Sequence, residues 1–166
     1  MRRQILFVGT GGQGVVWLGR VVGEAARRLG TPVITAETHG MAQRGGSVTC
    51  HVKLGGYRSP VILPGRADLL IGLDPEEARR HRHYLAAAGS AVVNASAPSS
   101  PEEVDGNALA EAARAPRGLN AAMLGYAADR VGLDAQALRD AVEALSPPAH
   151  REANLRAFDG GREAAS

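Results

Sequence analysis

Residues 4–14 read Gln4-Ile5-Leu6-Phe7-Val8-Gly9-Thr10-Gly11-Gly12-Gln13-Gly14, and how this stretch folds decides the architecture of the chain. Gln4 to Val8 is apolar, β-branched or aromatic and bounded by glycine, which predicts a central strand covered on both faces. From Gln13 onward, Val15, Val16, Leu18, Val21, Val22, Ala25, Ala26 and Leu29 recur at helical spacing. Gly30 and Pro32 then supply a stop. Gly9 to Gly14 satisfies G-x-G-x-x-G between that strand and that helix, where helix amides point outward and the dipole favours negative charge. The expectation is an α/β domain whose first turn faces an anion or another backbone; the same glycines would also serve a tight turn with no ligand.

The next segment separates this chain from an ordinary dinucleotide binder. In such folds an acid at the end of the second strand holds the ribose, and Glu37 lies in about that place after a short predicted strand, Pro32 to Ala36. Glu37 leads, however, into Thr38-His39-Gly40-Met41-Ala42-Gln43-Arg44-Gly45-Gly46, which shows neither helix nor strand period. An ordinary dinucleotide fold would form a second crossover helix there. Glu37 to Gly46 is read as a loop, and polar loops on a rigid sheet are where binding residues concentrate. Arg44 suits phosphate or carboxylate, and Gly45-Gly46 admits close approach of a ligand or backbone. His39 fits a hydrogen-bonding positioner better than a base, because no nucleophile or metal-ligand spacing accompanies it. The bland alternative is a solvated loop with Arg44 paired to an acid.

Farther on, Val48, Cys50, Val52 and Leu54 alternate with Ser47, Thr49, His51 and Lys53, which predicts a strand with one wet face, an antiparallel edge or hairpin. Cys50 points inward in that pattern and reads as a buried, inert thiol. Ala67 to Leu73 reads as a buried strand; Asp74-Pro75-Glu76-Glu77 opens a helix with a cap, a first-position proline and first-turn acids. His81 and His83, two apart on that helix, would point to different faces, sharing no metal. Ser90 to Asn94 is read as the strand that closes the sheet and Ala95 to Val104 as a surface loop. Helices follow from about Ala108 to Arg114, then over Asn120 to Val131, Asp134 to Leu145 and Pro148 to Phe158. The predicted fold is α/β: a mainly parallel, Rossmann-like sheet flanked by helices, with an antiparallel edge strand and a C-terminal helical cluster.

Composition sets further bounds. A chain of 166 residues with 45% hydrophobic content suits a single core, hence one domain over residues 1–166. A net charge of +2 from dispersed residues, with 4% aromatics, argues against nucleic-acid binding. The lone cysteine, Cys50, excludes an intramolecular disulfide and an all-cysteine iron–sulfur or zinc site carried by this chain alone. The apolar run Ile5 to Val8 is too short for a signal segment or membrane span, so the expectation is a cytoplasmic protein with no membrane partner.

The motifs GTGGQG and ETHGMAQRGGSV, in this order and separation, resemble the gamma-type chain of 2-oxoacid:acceptor oxidoreductases, nearest to the branch in which that domain is the separate beta subunit of indolepyruvate ferredoxin oxidoreductase. Ala67-Asp68, Leu73-Asp74, Glu77, Asn120, Leu124-Gly125, Asn154, Ala157 and Phe158 extend the likeness over about Arg3 to Glu163, with no family feature across Ala95 to Arg117. The resemblance implies an accessory subunit of an enzyme that decarboxylates a 2-oxoacid on thiamine diphosphate, passes electrons through iron–sulfur clusters to ferredoxin and transfers the acyl group to coenzyme A. With no G-D-G signature and no cysteine set here, both cofactors would sit in a large partner subunit. No catalytic or metal-binding residue is then expected in this chain. Gly9, Gly11, Gly12, Gln13 and Gly14 would face a partner or coenzyme A at the interface, together with His39, Gln43, Arg44, Gly45 and Gly46. The alternatives are a scaffold that touches no ligand and a free-standing NAD(P)-binding domain using Glu37 on the ribose.

Overall fold

The computed structural model describes residues 1–40 and 45–166. The first stretch forms β1 (Arg3–Thr10), and α1 (Val15–Arg28) follows the glycine turn. Then come β2 (Val33–His39), β3 (Ser47–Leu54), β4 (Ala67–Gly72), α2 (Pro75–His81), β5 (Leu85–Asn94) and β6 (Glu103–Val104). The chain ends with α3 (Gly106–Ala112), α4 (Leu119–Val131), α5 (Ala135–Leu145) and α6 (Arg151–Ala165). The strands make one six-stranded sheet in the order β2-β3-β1-β4-β5-β6. β4, β5 and β6 run parallel to β1, whereas β3 is antiparallel to both β1 and β2.

The predicted α/β class and terminal helical cluster are therefore present, with differences of detail. Of the edge and hairpin readings for β3, the hairpin holds: β3 sits one place in and pairs antiparallel with β2, which takes the edge. β2 also continues through Glu37, Thr38 and His39, which the sequence reading had placed in a loop, because each pairs with β3 at Cys50, Thr49 and Val48. Finally, β5 does not close the sheet; the short β6, inside the supposed surface loop, pairs with Val93 and Asn94.

The two faces of the sheet are covered unequally. Ile5, Phe7, Val48, Cys50, Val52, Leu54, Leu69, Ile71 and Val92 join one large core with α1 and α3 to α6. Leu6, Val8, Leu70, Ala91 and Val93 face the other way, under Ala78 of α2 and Ile62 of the segment after β3. That segment overturns the wet-face expectation for β3. Thr49, His51 and Lys53 are all buried, with Ile62 donating its backbone N–H to His51 Nδ1 at 3.1 Å and the Tyr57 ring lying 5.1 Å from Lys53 Nζ. Each buried Leu or Phe contributes roughly 1.5–3 kcal/mol, so the helical face supplies most of the stability. The final helices pack where glycine permits backbone contact: a Cβ on Gly125 would lie 2.0 Å from the Phe158 carbonyl oxygen, and one on Gly161 2.1 Å from that of Ala122.

Candidate functional site

The site lies outside the carboxyl ends of β1 and β4, where the crossovers leave the sheet on opposite faces, the usual ligand crevice of open α/β sheets. The turn Gly9–Gly14 is braced by its own glutamine. Gln13 Oε1 accepts from Thr10 N at 2.8 Å, and Gln13 Nε2 donates to the Leu73 carbonyl at 3.3 Å. Leu73 O also accepts from Asn94 Nδ2 at 3.1 Å, so one carbonyl ties the turn to the ends of β4 and β5. Gly9 and Gly14 are dictated by space: a Cβ on Gly9 would meet Gln13 Oε1 at 2.7 Å, and one on Gly14, at φ +84, Asn120 Nδ2 at 2.2 Å. Gly14 caps α1 without a side-chain bond, and the first turn of α1 carries no acid. The start of that helix thus remains electropositive.

Against this turn rests the second motif. Gly11 N donates to Gly46 O at 2.9 Å, and a Cβ on Gly11 would lie 3.6 Å from Gly45 N. The base of the 40–47 connection is closed by Gly40 N donating to Ser47 O at 2.6 Å, with the Thr38 and Thr49 hydroxyls hydrogen-bonded just below. Ser47 Oγ donates to Glu77 Oε2 at 2.6 Å. Glu77 is 4% exposed and also accepts from Arg80 Nη1 at 3.0 Å. Glu77 therefore fixes the start of β3, and with it Gly46, from the opposite face of the sheet. The sequence marks Glu77 as a first-turn acid of a capped helix and as part of the resemblance, and the cap is present, Glu77 N donating to Asp74 Oδ1 at 2.9 Å; its bond to Ser47 joins elements 30 residues apart and has no local signal.

The structure brings Gly9, Gly11, Gly12, Gln13 and Gly14 together with Gly45 and Gly46. Gln43 and Arg44 lie outside the described residues. His39 ends β2 with its side chain 60% exposed and Nε2 3.8 Å from Glu37 Oε2. Glu37 is not beside the glycine turn, because β3 separates β2 from β1. Two strand spacings, about 10 Å, lie between the strand carrying Glu37 and the one that leads into the turn. In dinucleotide-binding folds these strands are neighbours, so Glu37 is misplaced for a ribose held at this turn.

Burial pushes the Cys50 thiol up to about 12, and it is 1% exposed under α1, so it neither attacks nor ligates at neutral pH. Burial, then the neighbouring His81 and Lys53, push the His51 imidazole down. His81 and His83 do not point apart as expected: the helix tightens after His81, and their rings stack at 6.5 Å. No group of three or more His, Cys, Asp or Glu among the described residues could hold a metal ion. No helix among them is long and apolar enough to cross a membrane.

Residues 4–164 match the family described as pyruvate ferredoxin/flavodoxin oxidoreductase. A protein named indolepyruvate oxidoreductase subunit IorB from Archaeoglobus fulgidus is 52% identical over 85 residues, 51% of this chain and 42% of that one. The protein of the same name from Methanothermobacter thermautotrophicus is 31% identical over 100% of this chain and 99% of its own. Among solved structures, the gamma subunit of a keto/oxoacid ferredoxin oxidoreductase from Geobacter sulfurreducens superposes with a TM-score of 0.81 at 24% identity, covering 98% of each chain. A 2-oxoglutarate:ferredoxin oxidoreductase from Magnetococcus marinus, solved with 2-oxoglutarate, coenzyme A and succinyl-CoA bound, also reaches 0.81 at 17% identity, over 99% of this chain and 31% of that one. These two likenesses show the fold.

Proposed function

Because the chain belongs to the pyruvate ferredoxin/flavodoxin oxidoreductase family, we propose that it is the accessory, gamma-type subunit of a cytoplasmic, thiamine-diphosphate-dependent 2-oxoacid:ferredoxin oxidoreductase, inactive alone, that completes the assembly and walls the coenzyme A side of the active site. The observation that carries the reading is the 2.9 Å bond from Gly11 N to Gly46 O, which fuses two distant motifs into one surface at the carboxyl end of the sheet. A surface of glycine backbone and an uncapped helix start can approach a pyrophosphate or a partner backbone closely. A cysteine-ligated iron–sulfur cluster does not fit the residues here, since the single thiol is buried, and the sequence carries no G-D-G signature for thiamine diphosphate. Both belong to a large partner subunit, which passes electrons to ferredoxin and selects the 2-oxoacid.

Within the assembled enzyme, Gln43 and Arg44 approach the phosphates of coenzyme A, and His39 holds that loop in place. Co-purification from the native cell tests the assembly: recovery of a long thiamine-binding chain is expected, and its consistent absence overturns the reading. Arg44→Ala tests the ligand side. Loss of a charge-assisted hydrogen bond, worth about 1.5–3 kcal/mol, would raise the KM for coenzyme A tenfold or more with assembly intact. The scaffold alternative predicts the reverse, weakened assembly with unchanged coenzyme A kinetics.

A further inference from the structure

The segment Ala95 to Arg117, which the family likeness leaves unused, ends at the rim of a cavity of about 370 Å³ on the helical side of the sheet. Its lining includes Trp17 of α1, Arg114 and Arg117 before α4, Asn120 of α4, and His150 and Asn154 at the start of α6. No residue from Gly9 to Gly14 lines it, nor does Gly45 or Gly46. The cavity is therefore lined by residues other than those of the glycine surface.

Three observations give the cavity a chemistry. The first is charge: Arg79, Arg80, Arg82, Arg139 and Arg162 each pair with a carboxylate, whereas Arg114 and Arg117 have no acidic partner among the described residues. No acid lines the cavity. The second is backbone strain. Arg114, at φ 55, is the one residue other than glycine with positive φ among those described, a conformation costing about 1–3 kcal/mol and persisting only where the surroundings impose it. Arg156 imposes it, donating from Nε to Ala113 O at 3.0 Å and from Nη2 to Arg114 O at 3.1 Å. The third is a fixed aromatic plane: Trp17 Nε1–H donates to Leu145 O at 3.2 Å, which sets the orientation of the ring. The volume falls in the usual small-ligand range of roughly 300–1,000 Å³.

We propose that this cavity binds a phosphorylated ligand with a planar ring, the chemistry of a nucleoside phosphate, with the ring against Trp17 and the phosphate held by Arg114 and Arg117. A free nucleotide and the nucleotide half of coenzyme A share that chemistry. Trp17 is the single tryptophan of the chain, so its fluorescence reports occupancy directly. In the full chain, titration with ADP is expected to give a saturable change that inorganic phosphate and pantetheine do not reproduce. Arg117→Ala should weaken it tenfold or more. Arg114→Gly, which keeps the positive φ, should do the same without lowering Tm. If coenzyme A reproduces the change and loses it in the same variants, the ligand is its nucleotide half; if coenzyme A does not compete with ADP, the ligand is a free nucleotide. Absence of any saturable change with ADP and coenzyme A overturns the proposal, as does binding that both variants leave intact. The assay uses the isolated chain, so failure to find a large partner subunit would leave it untouched.

Discussion

The two segments that meet at the carboxyl end of the sheet are held by opposite means. The Gly9–Gly14 turn is braced largely from within: Gln13 closes it with a 2.8 Å bond to Thr10 N, and Gly9 and Gly14 fit against neighbours too closely for a Cβ. The Gly45–Gly46 end of the second segment borrows its position, from Gly11 through a backbone bond and from Glu77 through Ser47 at 2.6 Å. The contrast teaches that the first motif is closed by a contact within itself, Gln13 on Thr10, whereas the described end of the second is placed by residues distant in sequence, Gly11 and Glu77.

The contrast can be broken from either side. The largest effect is expected from Gly14→Val, which meets Asn120 at a positive φ and should cost on the order of 3 kcal/mol, read as a lowered urea midpoint. Next is Glu77→Ala: removing a buried acceptor of charge-assisted bonds should cost about 2 kcal/mol, with faster amide exchange at residues 45–48 and little change at 9–14. Equal change in both segments would break the distinction. Gln13→Ala, by leaving Thr10 N without its partner and Leu73 O with Asn94 alone, should cost about 1 kcal/mol and loosen the turn first. The smallest effect is that of pH. His51, within β3, is disfavoured as the cation by burial, with its folded pKa below the ordinary value of about 6.5. The unfolded chain then binds more protons below that value, so stability present above pH ~6.5 falls as pH drops through the window down to the folded pKa. Tm measured across that window should fall in the natural chain and stay flatter in His51→Gln.

Much of this was legible in the sequence because the signals were local. The apolar run of β1, the glycine spacing, the Asp74-Pro75 helix start and the periodic helices 119–131 and 135–145 each declare themselves within a dozen residues. What escaped was long-range. The polar alternation Thr49, His51, Lys53 signals a wet face only until Ile62 and Tyr57 fold over it. β2 overran its predicted end because pairing with β3 extends a strand through polar residues. The site residues Gly9 to Gly14 and Gly45-Gly46 were named from motif alone, yet their contact through Gly11 depends on β3 lying beside β1. The cavity around Trp17 gathers residues from α1, α4, α6 and a non-periodic segment, so no window of sequence could show it.

The most direct test is hydrogen–deuterium exchange on this chain alone and in complex with the large thiamine-binding subunit it is proposed to serve. The account predicts new protection in peptides spanning residues 9–14 and 40–47 together, with the 40–47 peptide gaining more. Protection confined to other surfaces, with both segments unchanged in the assembled enzyme, would contradict it.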